Sequence, residues 1–215
     1  MKEKKMIPQE EFKYVLELRH TKEVQDKISA ATVGVAGLGG LGSNIAISLA
    51  RLGVGHLILV DFDIVELVNL NRQQYYIHQI GIKKAEAIQE ILHEINPYLD
   101  VEAYAVKVTP ENIQDLFGTC DILCEAFDKP DQKAMLANCV LERLPNIPLV
   151  CGSGLAGYEN ANQIVTRKKM KNLYICGDEV HAGAEGNGLM APRVSICAGH
   201  QSNLVLQLIL DKVDC

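Results

Sequence analysis

The stretch Ala36-Gly37-Leu38-Gly39-Gly40-Leu41-Gly42-Ser43 decides the fold. A short apolar strand, residues 31–36, runs straight into it. Leu41, Ile45, Leu49 and Leu52 then recur at helical spacing until Gly53 and Gly55 stop the helix. A second apolar run, Leu57-Ile58-Leu59-Val60, follows and ends at Asp61. Continuous runs of this kind suit parallel strands buried on both faces. The unit is a strand, a glycine turn, a helix and a second strand, in which Gly37, Gly39, Gly40 and Gly42 let backbone approach phosphates at a helix N-terminus.

The alternation continues outward from this unit. Residues 8–29 read as an amphipathic helical lead-in carrying Phe12, Val15, Leu16, Leu18, Val24 and Ile28. Residues 64–81 are polar and irregular and read as a loop over the carboxyl ends of the strands. Ala85, Ile88, Leu92 and Ile95 mark a helix that Pro97 ends. Strands are expected at 101–108, 120–126 and 147–151. Thr109-Pro110-Glu111 reads as one helix start and Pro130 as another. After Gly152 come two short strands, near 163–167 and 173–176, and a final helix over about 194–210. Between them Gly177, Gly183, Gly186 and Gly188 predict a stretch that is mobile or ordered only by a partner. The pattern implies an α/β fold, Rossmann-like and doubly wound, with a mostly parallel sheet and helices on both faces.

Bulk properties narrow the class. A length of 215 residues fits one domain with a substantial core. We divide it into an N-terminal helical lead-in (1–29), a nucleotide-binding core (30–154) and a carrier-binding, crossover part with the final helix (155–215). A net charge of -6 argues against nonspecific binding to nucleic acid or to anionic membranes. No apolar stretch approaches membrane-spanning length, and Met1-Lys2-Glu3-Lys4-Lys5-Met6 is charged, so neither a membrane anchor nor secretion is expected. Seven irregularly spaced cysteines without a C-x-x-C pair read as reduced thiols of a cytoplasmic protein and argue against a zinc site.

The residues after the glycine turn shift the expected chemistry away from hydride transfer. Asp61 stands 24 residues after Gly37, where an acidic residue accepts hydrogen bonds from ribose hydroxyls. Asp63 is open to two readings: it orients Arg72, or it sits in water. Arg72 and Lys84 flank one loop at the nucleotide edge. A guanidinium can bind two phosphate oxygens, and an ammonium can track charge developing at phosphorus. Either cation alone reads as a solvated surface group; together on one loop they read as phosphate ligands. Lys83 is the surface member of its pair. Asp128 follows a strand at the same sheet edge, where a carboxylate beside phosphates would hold Mg2+. Asp131 reads as a first-turn acid of the next helix. The histidines (His20, His56, His78, His93 and His200) suggest no ligand cluster. This set favours ATP cleaved at its α-phosphate over an NAD-dependent oxidoreductase, which would leave Arg72, Lys84 and Asp128 without roles.

With these residues placed, the chain resembles the ThiF/MoeB/HesA superfamily, the adenylating domain shared with ubiquitin-activating enzymes. The resemblance rests on Gly37–Ser43, Val60-Asp61-Phe62-Asp63, Asn69-Leu70-Asn71-Arg72-Gln73, Gly81-Ile82-Lys83-Lys84-Ala85, Ile95-Asn96-Pro97 and Asp128, and covers about residues 25–154. Ala191-Pro192-Arg193-Val194 with Gly199-His200-Gln201-Ser202-Asn203 looks most like a short ThiF-like branch, the adenylyltransferases of the sulfur carrier ThiS. The resemblance implies that a ubiquitin-like carrier presents a C-terminal Gly-Gly carboxylate to the α-phosphorus of ATP. Pyrophosphate leaves, an acyl-adenylate forms, and a sulfur donor later displaces AMP, here for thiamine thiazole synthesis. It further implies ribose binding by Asp61, phosphate contacts by Arg72 and Lys84, Mg2+ at Asp128, a nucleotide loop organised by Asn69 and Gln73, and a homodimer.

The chain also departs from that family. The two C-x-x-C pairs that bind structural zinc in many members are missing. The N-terminal Arg-Tyr-x-Arg-Gln segment, whose arginine reaches the partner subunit's ATP site, is replaced by Leu18-Arg19-His20, which leaves Arg19 as the trans-acting candidate. Cys176 is the best-placed thiol for sulfur transfer, beside the reading of an inert strand cysteine. Other substrates with the same chemistry stay open: a molybdopterin carrier, a peptide, or, least favoured by the acidic charge, a carboxylate on a tRNA base. A noncatalytic carrier-binding scaffold is the reading from a different class.

Overall fold

The computed structural model describes residues 7–184 and 186–215. The charged Met1–Met6 segment, and Glu185 within the glycine-rich stretch, lie outside the described residues.

The elements run α1 (Gln9–His20), α2 (Lys22–Ala30), β1 (Thr32–Ala36), α3 (Gly40–Leu52), β2 (His56–Val60), α4 (Lys84–Ile95) and β3 (Asp100–Tyr104). They continue with α5 (Ile113–Phe117), β4 (Ile122–Glu125), α6 (Pro130–Arg143), β5 (Leu149–Gly152), β6 (Val165–Met170), β7 (Leu173–Gly177) and α7 (Ala191–Ile209). One sheet has the order β3-β2-β1-β4-β5-β7-β6. All neighbours pair parallel except the last, β6 with β7. The strand order reverses between β1 and β4, so a crevice opens there beyond the strands' carboxyl ends, where such sheets bind ligands. The expected doubly wound α/β fold is what forms.

The core explains why the glycine turn sits where it does. Val33, Val35, Leu57 and Leu59 are fully buried on one face, with Ile45 and Leu49 of α3 over them. Ile58, Leu123, Leu136 and Phe117 fill the other face. Each such side chain contributes about 1.5–3 kcal/mol. Gly34 in β1 has no room for a Cβ, which would lie 2.8 Å from Leu123 and 2.9 Å from Phe117. Gly42 has even less, because a Cβ there would sit 1.8 Å from the Gly37 carbonyl oxygen. That close approach lets α3 start directly on the turn and aim its N-terminus into the crevice.

Several sequence expectations shift. The lead-in is two helices, broken at Thr21, whose φ is 74°. The third strand stops at Tyr104 rather than 108, because its sole neighbour β2 ends opposite, at Val60. Residues 106–108 instead turn over the strand ends. The helix expected at Thr109 starts at Ile113, because Asn112 Oδ1 accepts the Thr109 N–H and closes a turn first. The last helix starts at Ala191, with Pro192 in its first turn. No helix among the described residues is long and apolar enough to cross a membrane.

The glycine-rich stretch is held by the chain itself. Asp178 N–H donates to Gly154 O, Glu179 N–H to Ser153 O, Ala156 N–H to His181 O and Gly157 N–H to Gly188 O. The loop after β5 and the loop after β7 thus form one hydrogen-bonded layer. Gly154 (φ 72°) and Gly177 (φ 141°) permit it: a Cβ would lie 2.2 Å from Asp178 Oδ1 at Gly154 and 1.6 Å from Ser153 O at Gly177.

Candidate functional site

A cavity of about 690 Å³ fills the crevice. Of the residues singled out in the sequence, Gly37, Gly39, Gly40, Asp61, Asp63, Arg72, Gln73, Lys84 and Asp128 all line it. They come from the turn after β1, the ends of β2 and β4, the loop before α4 and the first residue of α4. Gly42 does not line the cavity; it is the close-packing glycine of α3. Asn69 is also off the wall. It is buried, its Oδ1 accepts the Glu66 N–H, and its carbonyl accepts the N–H groups of Arg72 and Gln73. It therefore shapes the loop that carries those two residues.

That loop is fastened to the glycine turn at three points. Ser43 Oγ donates to Gly39 O and accepts the Gln74 N–H. Asn44 Nδ2 donates to Gly40 O and Arg72 O. The buried Tyr75 hydroxyl donates to Leu38 O at 2.8 Å. The backbone of the glycine turn and Arg72 are thus held in fixed relation.

Asp61 is buried, and its two oxygens accept the N–H groups of Leu38 (2.6 Å) and Asp63 (2.8 Å). Burial raises its pKa, against the opposing pull of Lys84 and these two hydrogen bonds. Asp61 therefore also clamps the turn, with its remaining lone pairs toward the cavity. Asp63 is exposed, as one of its two readings has it, and its Oδ2 pairs with Lys84 Nζ at 3.0 Å rather than with Arg72. Lys84 is 5% exposed and is the first residue of α4. A helix N-terminus disfavours a cation, so a buried lysine there opposes the local dipole. Asp63 offsets this in part, and an anion in the cavity would complete the compensation. Lys83 is the exposed member and donates to Phe62 O.

Arg72 is half-buried; its Nη1 donates to Asn71 Oδ1, while its buried Nε has no partner among the described residues. Asp128 is exposed on the wall and has no hydrogen-bond or ion-pair partner among the described residues. Its hard carboxylate oxygens suit Mg2+, which takes one or two carboxylates and fills its shell with water and phosphate oxygens. No group of three or more His, Cys, Asp or Glu side chains among the described residues is arranged to hold a metal ion by itself.

Two candidates fare differently. Cys176 is fully buried, and its thiol contacts Thr166 Oγ1 at 3.5 Å. Burial pushes its pKa up to about 11. A thiol in that setting is an inert core group, which corrects the expectation of sulfur transfer there. Arg19 is exposed in the last turn of α1 and is absent from this chain's cavity wall.

The wall also holds residues that no sequence pattern signalled. Lys133 lines the cavity, and its Nζ pairs at 2.9 Å with Glu125, which is 1% exposed at the end of β4, is itself off the wall, and accepts the Phe127 N–H. On the far side His181 lines the cavity, and its Nδ1 lies 2.6 Å from Asp178 Oδ2. Asp178 also accepts the N–H groups of Val180 and His181 and the Nη2–H of Arg193, which is 3% exposed. Burial pushes the Asp178 carboxyl up, but these hydrogen bonds together hold it well below the usual carboxylate range. Arg193 was quoted from the tail; the Asp and His it organises sit 15 and 12 residues upstream, with no regular spacing to reveal them.

Comparison with known proteins gives the site its family. The model of the ThiF family matches residues 14–214. "Adenylyltransferase and sulfurtransferase UBA4" of Eremothecium gossypii is 31% identical over 153 residues, 71% of this chain and 34% of that one. "Adenylyltransferase and sulfurtransferase MOCS3" of Anopheles gambiae is 36% identical over 133 residues, 61% of this chain and 30% of that one. "Ubiquitin-like modifier-activating enzyme 5" of Caenorhabditis briggsae is 39% identical over 100 residues, 46% of this chain and 22% of that one. The chain thus spans 22–34% of the length of these curated relatives. Among solved structures, E. coli tRNA N6-threonylcarbamoyladenosine dehydratase, TcdA, in complex with AMP, superposes with a TM-score of 0.85 at 22% identity, covering 97% of this chain and 99% of that one. E. coli MccB with ATP superposes at 0.68 and 24% identity, covering 89% and 59%. At these identities the two structures speak for the fold, and the family model, which spans nearly the whole chain, decides membership: this protein belongs to the ThiF family.

Proposed function

We propose that the chain is an ATP-dependent adenylyltransferase that activates the C-terminal Gly-Gly carboxylate of a ubiquitin-like carrier as an acyl-adenylate. The observation that carries this reading is the buried Lys84 at a helix N-terminus, on one wall with Arg72 and Asp128. Names of sequence relatives, among them "Adenylyltransferase and sulfurtransferase UBA4" and "Ubiquitin-like modifier-activating enzyme 5", point the same way.

The chemistry asks little of a protein nucleophile. The carrier carboxylate is already ionised and attacks the α-phosphorus, and pyrophosphate carries away the bond pair. The protein's task is positioning and charge stabilisation. The glycine turn and the start of α3 would cradle phosphates, Asp61 would meet the ribose, and Gln73 would border the nucleotide. Arg72 and Lys84 would take up charge on the α-phosphate and the leaving pyrophosphate. Asp128 would hold Mg2+, which when bound neutralises phosphate oxygens. The narrower form of the proposal is a carrier of the ThiS kind serving thiamine thiazole synthesis, in a cytoplasmic homodimer to which Arg19 of one copy contributes across the interface.

The test is ATP–pyrophosphate exchange with Gly-Gly carriers of the ThiS and molybdopterin kinds. Exchange that needs the terminal glycine and collapses in Arg72→Ala and Asp128→Ala supports the reading. Bound ATP with no exchange for any carrier or peptide overturns it in favour of a noncatalytic scaffold.

A further inference from the structure

The first half-reaction releases no proton, yet the cavity holds a well-built proton acceptor. His181 follows β7 and faces the cavity from the β5–β7 side, across the strand reversal from Asp61 and the glycine turn. Its Nδ1 is engaged by Asp178 Oδ2, whose side chain is 5% exposed and remains ionised beside Arg193. A carboxylate can only accept, so Nδ1 carries the proton and the lone pair of the neutral ring is on Nε2. Nε2 has no hydrogen bond among the described residues; Glu159 Oε1 stands 4.0 Å away. Arg193 fixes this arrangement from behind, donating to Asp178 and to the carbonyls of Glu159 and Asn160. The groups facing the imidazole are therefore Asp178 and Glu159, both ready to stabilise an imidazolium, with the single positive charge of Arg193 spent on Asp178. A carboxylate that orients an imidazole and supports its protonated form is the arrangement of a general base.

The chain's own thiols supply no nucleophile for that base. Cys120, Cys124, Cys139, Cys151, Cys176 and Cys197 are all buried, and the exposed Cys215 is off the cavity wall. Burial pushes Cys120 up to about 12 and raises Cys124, Cys151 and Cys197 as well. A nucleophile for a second step has to come from outside, and it arrives with a proton on sulfur or nitrogen.

Resting on the adenylation reading above, we propose that His181 is the catalytic base of the second half-reaction, in which an external thiol or amine displaces AMP from the acyl-adenylate. The sulfur or nitrogen forms a bond to the acyl carbon and the acyl–oxygen bond breaks. Its electron pair leaves with the phosphate of AMP. The nucleophile's proton passes to His181 Nε2 and from there to water. Asp178 is the positioning residue.

The experiment separates the two half-reactions in one preparation. Carrier-dependent ATP–pyrophosphate exchange reads the first, and single-turnover acyl transfer from the adenylate to dithiothreitol or to glycinamide reads the second. His181→Gln is expected to keep exchange within about twofold, which also shows that it folds, and to lose about 100-fold or more in transfer to at least one probe. The wild-type transfer rate falls toward acid pH as the imidazole takes up its proton, and the variant loses that limb. Equal transfer by variant and wild type to both probes overturns the proposal, as does a parallel loss of exchange and transfer, which assigns His181 to the first step or to the scaffold. A wild type without exchange removes the adenylation reading itself, and this inference with it.

Discussion

On the β1–β2 side of the cavity, one contiguous stretch, Gly37 to Lys84, supplies nearly every wall residue, and Ser43, Asn44 and Tyr75 staple its parts together. On the β5–β7 side, Gly152–Leu155, His181–Gly183 and Val194 are joined by backbone hydrogen bonds between the two loops and by one carboxylate, Asp178, which gathers backbone N–H groups, an imidazole and a buried guanidinium. Both sides use close backbone approach, and the second adds a charged hub. The two sides should therefore fail differently.

The largest effect falls on the hub. Asp178→Ala leaves Arg193 buried and unpaired, which costs about 3–5 kcal/mol and shows as a large drop in the midpoint of urea denaturation. The same pair sets a pH dependence. Asp178's folded pKa lies below its unfolded value of about 3.9, so its contribution is complete above that value. It is lost as pH falls from there toward the folded pKa. The wild type should lose stability over that acid window, and Asp178→Ala should lose less across it. Parallel acid profiles would show that the hub is not what joins the β5–β7 loops.

The β1–β2 side breaks on shape rather than charge. Gly42→Ala puts a Cβ 1.8 Å from Gly37 O, so α3 must back away from the turn, at about 1–3 kcal/mol. Its denaturation midpoint should fall with no change in the acid profile. Within the same stretch, Arg72→Ala should separate chemistry from folding. Exchange is expected to fall about 100- to 1000-fold, while stability stays within about 0.5 kcal/mol. A destabilised Arg72→Ala would mean that the arginine fastens the loop rather than meeting phosphate.

These contrasts also explain what was legible from the sequence. The glycine turn, Asp61, Arg72, Lys84 and Asp128 could be read because local order and spacing put each at a strand end or helix start, and the fold carries such positions to one crevice. The doubly wound, mostly parallel architecture followed from the same alternation. The role of Gly42 could not be read, because a glycine that packs and a glycine that binds look alike in a string; the loop-organising role of Asn69 came only with the family resemblance, because an asparagine that shapes a loop and one that touches a ligand also look alike. Of the two readings of Cys176, the inert strand cysteine is the one that burial selects, and nearness to a glycine-rich stretch says nothing about that burial. The order of that stretch was missed for a related reason: glycines signal freedom, and here the freedom is used to bring the 153–157 and 177–188 backbones into contact. Asp178 and His181 follow β7 and Arg193 opens α7 at no regular spacing, so only the folded chain brings the guanidinium and the imidazole onto one carboxylate.

The smallest prediction asks whether conformation or charge dominates locally beside the hub. Glu179 is held at φ 61°, a region that costs a non-glycine residue about 1–2 kcal/mol. Its carboxylate reaches Arg167 Nη1 at 3.4 Å and Lys169 Nζ at 2.9 Å, with all three side chains about a third exposed or more. Partly exposed pairs of this kind contribute about 0–1 kcal/mol. Glu179→Ala keeps the backbone cost and removes the pairs; Glu179→Gly removes both, at the expense of a freer unfolded chain. If conformation dominates, the glycine variant is more stable than the alanine variant by about 1 kcal/mol in matched urea titrations. If the two are equal, the hydrogen bonds from Asp178 and Glu179 N–H to the 153–154 carbonyls already set the backbone so firmly that the residue at 179 no longer matters, and the charged hub governs even its own turn.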